Sequence, residues 1–357
     1  MSRLISAVGI ASEVSELDCV TTRFQGSKRR LVNWIFKQIQ GLKYRSVLDA
    51  FSGTCAVAYE FKKREKKVTC NDFLRSSYYT ALALVENSQV TLSDDEICYV
   101  LSRHHDIQYP TFIQDTFQGI YYTDMENAWL DMAITNIQRM SNRYKRALAL
   151  HALFQSCLIK RPFNLFHRNN LYLRLADVKR SFHNDKTWGR PFPEYFRRFA
   201  LEASTRVFSN GSENRAWNFD ALSTPENNFD LVYVDPPYVS PNGRALDYHH
   251  IYHFLEGLCD YDHWPEGIDY TSEHLRLKPK PNPWGKKLSA ERAFDDLFKR
   301  FQDSILIVSY RSPGYPSRST LKNLLEQYKR NVTIRMKRCN YVLSKMKNNF
   351  EVLLIAK

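Results

Sequence analysis

The sequence lacks the features that mark several specialised classes of protein. Its seven cysteines, Cys19, Cys55, Cys70, Cys98, Cys157, Cys259 and Cys339, form no Cys-x-x-Cys pair, so neither a zinc site nor a disulfide framework is indicated. No stretch approaches the roughly 20 apolar residues needed to span a bilayer. The N-terminus has no basic region followed by a long apolar run. Glycine and proline are not enriched, and there is no internal repeat or low-complexity tract. These absences lead to the expectation of a soluble, cytoplasmic protein in a reducing compartment, with no membrane partner and no metal.

Acidic residues are the minority charge: 38 Asp+Glu against 51 Lys+Arg leave a formal net charge of +13. That excess favours a polyanionic partner, nucleic acid or an anionic membrane surface. The basic residues fall in short clusters, Lys28-Arg29-Arg30, 62–67 and 278–287, with aromatics interleaved, which suits a groove better than a disordered arm. At 43% hydrophobic and 14% aromatic the chain can build a substantial core. Its 357 residues favour a main domain with an insertion or second lobe.

Short β-rich runs at 46–51, 67–72, 216–220, 229–235 and 305–310 read as parallel strands feeding loops. Helical patterns at 28–39, 55–63, 76–86 and 319–328 lie before and between them. The alternation predicts an α/β fold, an open sheet with helices on both faces. Ligands of such sheets bind outside the carboxyl ends of the strands, where Asp49, Asp72, Asp220 and Asp235 would line one crevice. Four carboxylates fit a ligand rich in hydroxyl and amino donors. Near the C-terminus, runs at 332–338 and 350–356 flank a polar turn at 345–349 and read as a β-hairpin closing a sheet edge.

Two segments interrupt the alternation. Residues 89–214 are helix-like and aromatic, and their second half carries Arg161, Arg168, Arg174, Arg180, Arg190, Arg197 and Arg198. Residues 239–283 have a loop-like composition of Tyr, His, Trp and Pro. Both follow strands, so both are placed to overhang the crevice. The group His249-His250-x-x-His253, with Cys259 and His263, lacks a paired metal-ligand motif, and no metal is assigned to it.

Asp235-Pro236-Pro237-Tyr238 directly follows the apolar run Leu231-Val232-Tyr233-Val234. A planar amino group on a base is a poor nucleophile because its lone pair is delocalised. The Asp235 carboxylate and the Pro236 carbonyl can accept both of its hydrogens and favour the rehybridised nitrogen. The prolines stiffen the loop, and Tyr238 offers a flat face for stacking an extruded base.

These residues resemble the amino-methylating DNA methyltransferases, whose fourth motif is Asp/Asn/Ser-Pro-Pro-Tyr/Phe, with the aspartate form chiefly in adenine enzymes. Asp49-Ala50-Phe51-Ser52-Gly53-Thr54-Cys55 is similar to the family's Asp-x-Phe-x-Gly-x-Gly, departing from it at Cys55. By that resemblance Asp49, Phe51, Ser52 and Gly53 cradle the methionine part of S-adenosylmethionine. Thr22-Arg23-Phe24-Gln25-Gly26-Ser27-Lys28 resembles the Arg-Tyr-x-Gly-Ser-Lys segment. It implies that Phe24, Gly26 and Ser27 pack against the cofactor, with Lys28 near its carboxylate. Asp72, beside Phe73, would accept from the ribose hydroxyls, and Asp220 from the cofactor's adenine amino group. Segments 307–312, 340–345 and 351–354 look like the family's fifth-strand and hairpin segments.

The resemblance covers 20–88 and 215–357, as a discontinuous catalytic domain, and leaves 89–214 as an inserted helical target-recognition domain. The motif order is that of the Dam-like alpha group. It implies a Rossmann-like sheet with a C-terminal β-hairpin, and direct methyl transfer to the 6-amino group of adenine in double-stranded DNA after base flipping. Asp235, Pro236, Pro237 and Tyr238 would be catalytic, Tyr248, Tyr252 and Phe254 would lie against the target base, and a restriction endonuclease acting independently is a partner the resemblance allows. The alternatives are cytosine 4-amino methylation, an RNA adenine target, or a catalytically silent nucleic-acid-binding protein.

Overall fold

The computed structural model describes residues 23–176, 184–240, 243, 245–339 and 349–357. Seven strands form one sheet: β1 (Ser46–Asp49), β2 (Lys67–Asn71), β3 (Arg215–Trp217), β4 (Leu231–Val234), β5 (Ile305–Ser312), β6 (Val332–Arg338) and β7 (Phe350–Ala356). Their spatial order is β3-β2-β1-β4-β5-β7-β6. The first five run parallel. β7 is antiparallel to both of its neighbours, so the C-terminal hairpin enters the sheet with its second strand innermost.

Burial explains that order. β7 is apolar and buried along nearly its whole length, as a strand covered on both faces must be. β6 carries Arg335, Lys337 and Arg338 and has no fully buried residue, which suits a charged edge that resists pairing with another chain. The 340–345 segment and most of the 345–349 turn lie outside the described residues, as do Thr22 and Arg180.

Helices cover both faces of the sheet. On one face, Phe294, Leu297, Phe298, Leu321 and Leu325 pack against Leu48, Val232 and Val308. On the other, Ile35, Phe36 and Phe61 pack against Val47 and Val68, in a core that runs on without a break into the helices of 89–214 through Leu130, Ile134, Leu148, Phe154 and Phe199. Capping boxes start two of those helices, Ser93 with Glu96 before Asp94–Leu101 and Thr123 with Glu126 before Asp124–Gln138. Helix Arg143–Ile159 is buried without interruption from Ala147 to Ile159, which makes it the axis of the segment.

Two expectations change here. The strand expected at 216–220 ends at Trp217, because the Asn71 side chain brackets Phe219 from both sides and Asp220 turns to cap Leu222. The 239–283 segment, loop-like in composition, contains helices Tyr248–Ile251, His253–Cys259 and Trp264–Gly267. Ile251, Phe254, Leu255 and Leu258 bury one face, and a Cβ on Gly257 would stand 1.8 Å from the Trp264 ring, so glycine alone allows that packing.

Candidate active site

β1 connects to β2 on one side while β4 pairs on its other side, so the chain diverges at the carboxyl ends of β1 and β4. Such a divergence opens a crevice. Here it is a cleft enclosing about 1100 Å³, open solvent included, and Asp49, Asp72, Asp220 and Asp235 all line it. Phe24, Gly26, Ser27, Lys28, Phe51, Ser52, Gly53 and Phe73 line it too, with Pro236, Pro237 and Tyr238. The residues matched to the cofactor segments and the Asp-Pro-Pro-Tyr loop therefore line one cleft.

The β1 loop is held by its neighbours. Ser52 N–H donates to the Asn71 carbonyl at 2.9 Å, and Gly53 N–H to Asp72 Oδ2 at 2.8 Å. The Asn71 side chain ties Ala50 to Phe219, joining the loops after β1 and β3. Cys55 has φ +60°, so the backbone keeps a left-handed, glycine-type conformation although a side chain is present. Opposite stands an aromatic wall: Phe24 stacks on Tyr252 at 4.0 Å and on Tyr248 at 5.5 Å. Gly26, at φ +88°, passes so close that an added Cβ would lie 2.6 Å from the Tyr248 hydroxyl.

On the β4 side the Tyr238 hydroxyl donates to Asp235 Oδ1 at 2.8 Å. The Lys28 ammonium lies 2.8 Å from the same oxygen, 3.4 Å from Glu351 Oε1 and 4.9 Å from the Tyr238 ring centroid, and it also donates to the Tyr238 hydroxyl. Ser309 donates to Glu351 Oε1 at 2.6 Å. Glu351 opens the 351–354 segment that resembles the family's hairpin, but no role was read for it from sequence, and the β5–β7 pairing brings it here.

Residues 24–263 match the D12 class N6 adenine-specific DNA methyltransferase family. The chain belongs to that family. It is an adenine-specific DNA methyltransferase, and its substrate is DNA. It is similar to the Type II methyltransferase M2.HphI of Haemophilus parahaemolyticus, 28% identical over 321 residues that cover 87% of this chain and 88% of that one. The Type II methyltransferase M.CviAII of Paramecium bursaria Chlorella virus 1 is 23% identical, over 85% of this chain and 87% of its own. M.FokI of Planomicrobium okeanokoites is 26% identical over 92% of this chain, which spans half of that longer relative.

The methyltransferase concentrates charge in its cleft. Burial pushes Asp235 up to about 6, with Lys28 pulling it down and Glu351 pushing it up. Burial likewise raises Asp72 to about 6. Burial, and then the charges of Asp235 and Asp72, hold Asp49 well above the ordinary carboxylate range. Burial opposes the charge on Lys28, but Asp235 and Glu351 outweigh it and keep the ammonium protonated above the usual lysine range. Asp49 Oδ1 and Ser52 Oγ are buried and have no hydrogen-bond partner among the described residues. Buried acceptors of this kind call for a partner.

Several residues of the methyltransferase lie elsewhere than the sequence reading had them. Tyr252 and Phe254 are fully buried and do not line the cleft: Tyr252 stacks behind Phe24, and Phe254 packs among Phe117, Tyr121, Phe166 and Trp264. Tyr248 does line the cleft. His253 is buried against the Tyr121 hydroxyl and the Phe166 carbonyl, and among the described residues no group of three His, Cys, Asp or Glu could hold a metal. Arg161 and Arg174 are buried: Arg161 bonds the carbonyls of Tyr121, Leu165 and Arg168, and Arg174 pairs with Glu126 at 2.8 Å. They brace the 89–214 segment from within. The wall at 280–284 falls within the basic cluster 278–287, but Trp284 itself, having no motif, was not singled out from sequence. No helix is long and apolar enough to cross a membrane among the described residues.

Proposed function

We propose that the cleft binds S-adenosylmethionine along its β1, β2 and β3 loops and receives the target adenine at Asp235–Tyr238, after extrusion of the base from double-stranded DNA. The observation that carries this reading is the convergence of four strand-end aspartates with the Asp-Pro-Pro-Tyr loop on one cleft. The residues suit the cofactor: the unpartnered Asp49 Oδ1 and Ser52 Oγ await donors, and a set of carboxylates favours ammonium and hydroxyl groups over phosphate. When bound, S-adenosylmethionine supplies an activated methyl group on a sulfonium.

The chain's own residues do the rest. Asp72 and Asp220 each use their carboxylate partly on backbone N–H groups and have lone pairs left for the ribose hydroxyls and the adenine amino group of the cofactor. Phe24, Phe51 and Phe73 supply apolar contact, and Gly26 and Gly53 supply close backbone approach. Asp235 and the Pro236 carbonyl accept the amino hydrogens of the target, which raises the basicity of the nitrogen as it attacks. Catalysis on this reading is positioning and polarisation, with no covalent intermediate on the protein.

The helices of 89–214 and the arm at 239–283 are the elements we assign to target recognition. Phe163, Arg168 and Asn169 are exposed on one loop, whose Phe166 N–H bonds Ile251 O of the arm that carries Tyr248. The Type II methyltransferases among its relatives support a role as the modification partner of a restriction endonuclease, in the cytoplasm, with a solitary or phage methylase as the second reading. Asp235→Ala tests the site. It should keep S-adenosylmethionine binding in calorimetry and abolish formation of N6-methyladenine in duplex DNA, read by nucleoside mass spectrometry. Undiminished methylation would overturn the assignment.

A further inference from the structure

The Tyr238 hydroxyl and the Lys28 ammonium both bind Asp235 Oδ1, one of the two carboxylate oxygens that an incoming amino group can use. A carboxylate already holding an ammonium is a weaker acceptor for an amine. The Lys28 side chain is 5% exposed, and an ammonium left there without a counter-charge is strongly disfavoured. The second carboxylate within reach is Glu351, itself fully buried and steadied by Ser309. Its 3.4 Å separation from Lys28 is loose beside the roughly 2.8 Å of a charge-assisted hydrogen bond, which leaves room for the ammonium to move toward it.

We propose that Glu351 is a positioning residue for methyl transfer: it provides the second seat that takes up the Lys28 ammonium when the target amino group displaces it from Asp235. The inference rests on the reading of Asp235 as the acceptor. It gives a role to a buried charge in the antiparallel part of the sheet, where an apolar residue would fill the space at less cost. Ser309, on the neighbouring strand, fixes the carboxylate so that one oxygen faces Lys28. The groups facing Asp235 include Lys28, Glu351, Tyr238, Asp49, Tyr233 and Tyr248; those about Glu351 include Lys28, Ser309, Tyr233 and Cys339, with Arg311 and Lys337 opposite it on the two neighbouring strands.

The test is steady-state methylation of adenine-unmethylated genomic DNA by the full chain, with kcat followed against pH and S-adenosylmethionine affinity measured by calorimetry. Glu351→Gln leaves Lys28 on Asp235. It should lower kcat about tenfold or more, leave cofactor affinity within about twofold, and move the acidic limb of the kcat profile to lower pH, because a negative charge beside Asp235 is gone. Glu351→Asp should recover part of kcat and the position of the limb. Ser309→Ala, a milder change, should lower kcat severalfold in the same sense, and it decides the matter if Glu351→Gln does not fold. Wild-type kcat and an unmoved acidic limb in Glu351→Gln, or in Ser309→Ala where the first variant does not fold, would overturn the inference while leaving Asp235 as the acceptor. Full activity of Asp235→Ala would overturn the site reading itself.

Discussion

Two backbone positions show how a single residue sets the cleft. Gly26 combines φ +88° with a wall 2.6 Å from where a Cβ would stand, and that wall is Tyr248, stacked parallel to Phe24. Gly26→Ala therefore carries left-handed strain and a contact that Tyr248 has little room to relieve. It should cost about 1–3 kcal/mol in denaturant unfolding and weaken cofactor binding as well. Cys55 is the converse case, a side chain tolerated at φ +60° where the family pattern has glycine. Its thiol is buried, so Cys55→Gly gains about 1 kcal/mol of backbone relief and loses a similar amount of packing. A net change within about 1 kcal/mol is expected from urea melts, against a clear loss for the β-branched Cys55→Val. Motif reading located both positions, but which one needs glycine depends on φ and on a neighbour more than 200 residues away.

At the level of elements, basic charge was a poor guide. The second half of 89–214 is arginine-rich, which from sequence suggests solvated surface, yet Arg161 lies over the Tyr121 ring at 4.4 Å and bonds Asn170 as well as three carbonyls. It braces a loop in which Phe163 and Asn164 both have positive φ, and Phe163 is 67% exposed. Strain of this kind persists only where the surroundings impose it, and it tends to mark functional loops. Arg161→Ala would strand several buried carbonyls. It should destabilise the protein by about 3 kcal/mol or more and release the loop, measured as a lower urea midpoint together with faster proteolysis near residue 163. An unchanged midpoint would show that the loop holds itself. The helices of 239–283 were missed for a related reason: their apolar spacing is interrupted by histidine, glycine and proline, and they exist because Phe117, Tyr121 and Phe166 give them something to pack on.

Over the whole molecule, buried titratable groups tie stability to pH in opposing directions. Burial depresses His151 from the usual 6.5 to about 4, and it does the same to His249 and His274. Between those values the unfolded chain binds more protons, so their contribution is present at neutral pH and lost as pH falls from 6.5 through 4. Asp72 and Asp235, raised by burial from 3.8 to about 6, act the other way: their contribution is present below 3.8 and lost as pH rises through 6. The histidine part can be isolated with His151→Leu. The difference in unfolding free energy between wild type and this variant should shift against the wild type by up to about 3 kcal/mol between pH 7 and pH 4, and parallel pH dependences would refute the assignment. What the sequence determined by itself was local: β-rich runs ending in acids, the Asp-Pro-Pro-Tyr loop, the glycine turns, and hence the chemistry and the family. Those signals lie within a few residues of one another, where periodicity and turn chemistry act. Tertiary structure alone decided the partners of Lys28, the place of Glu351, the burial of Tyr252 and Arg161, and the sharing of one core between the sheet and the helices of 89–214. Those depend on strand order and on what packs against what, and no short stretch of sequence encodes either.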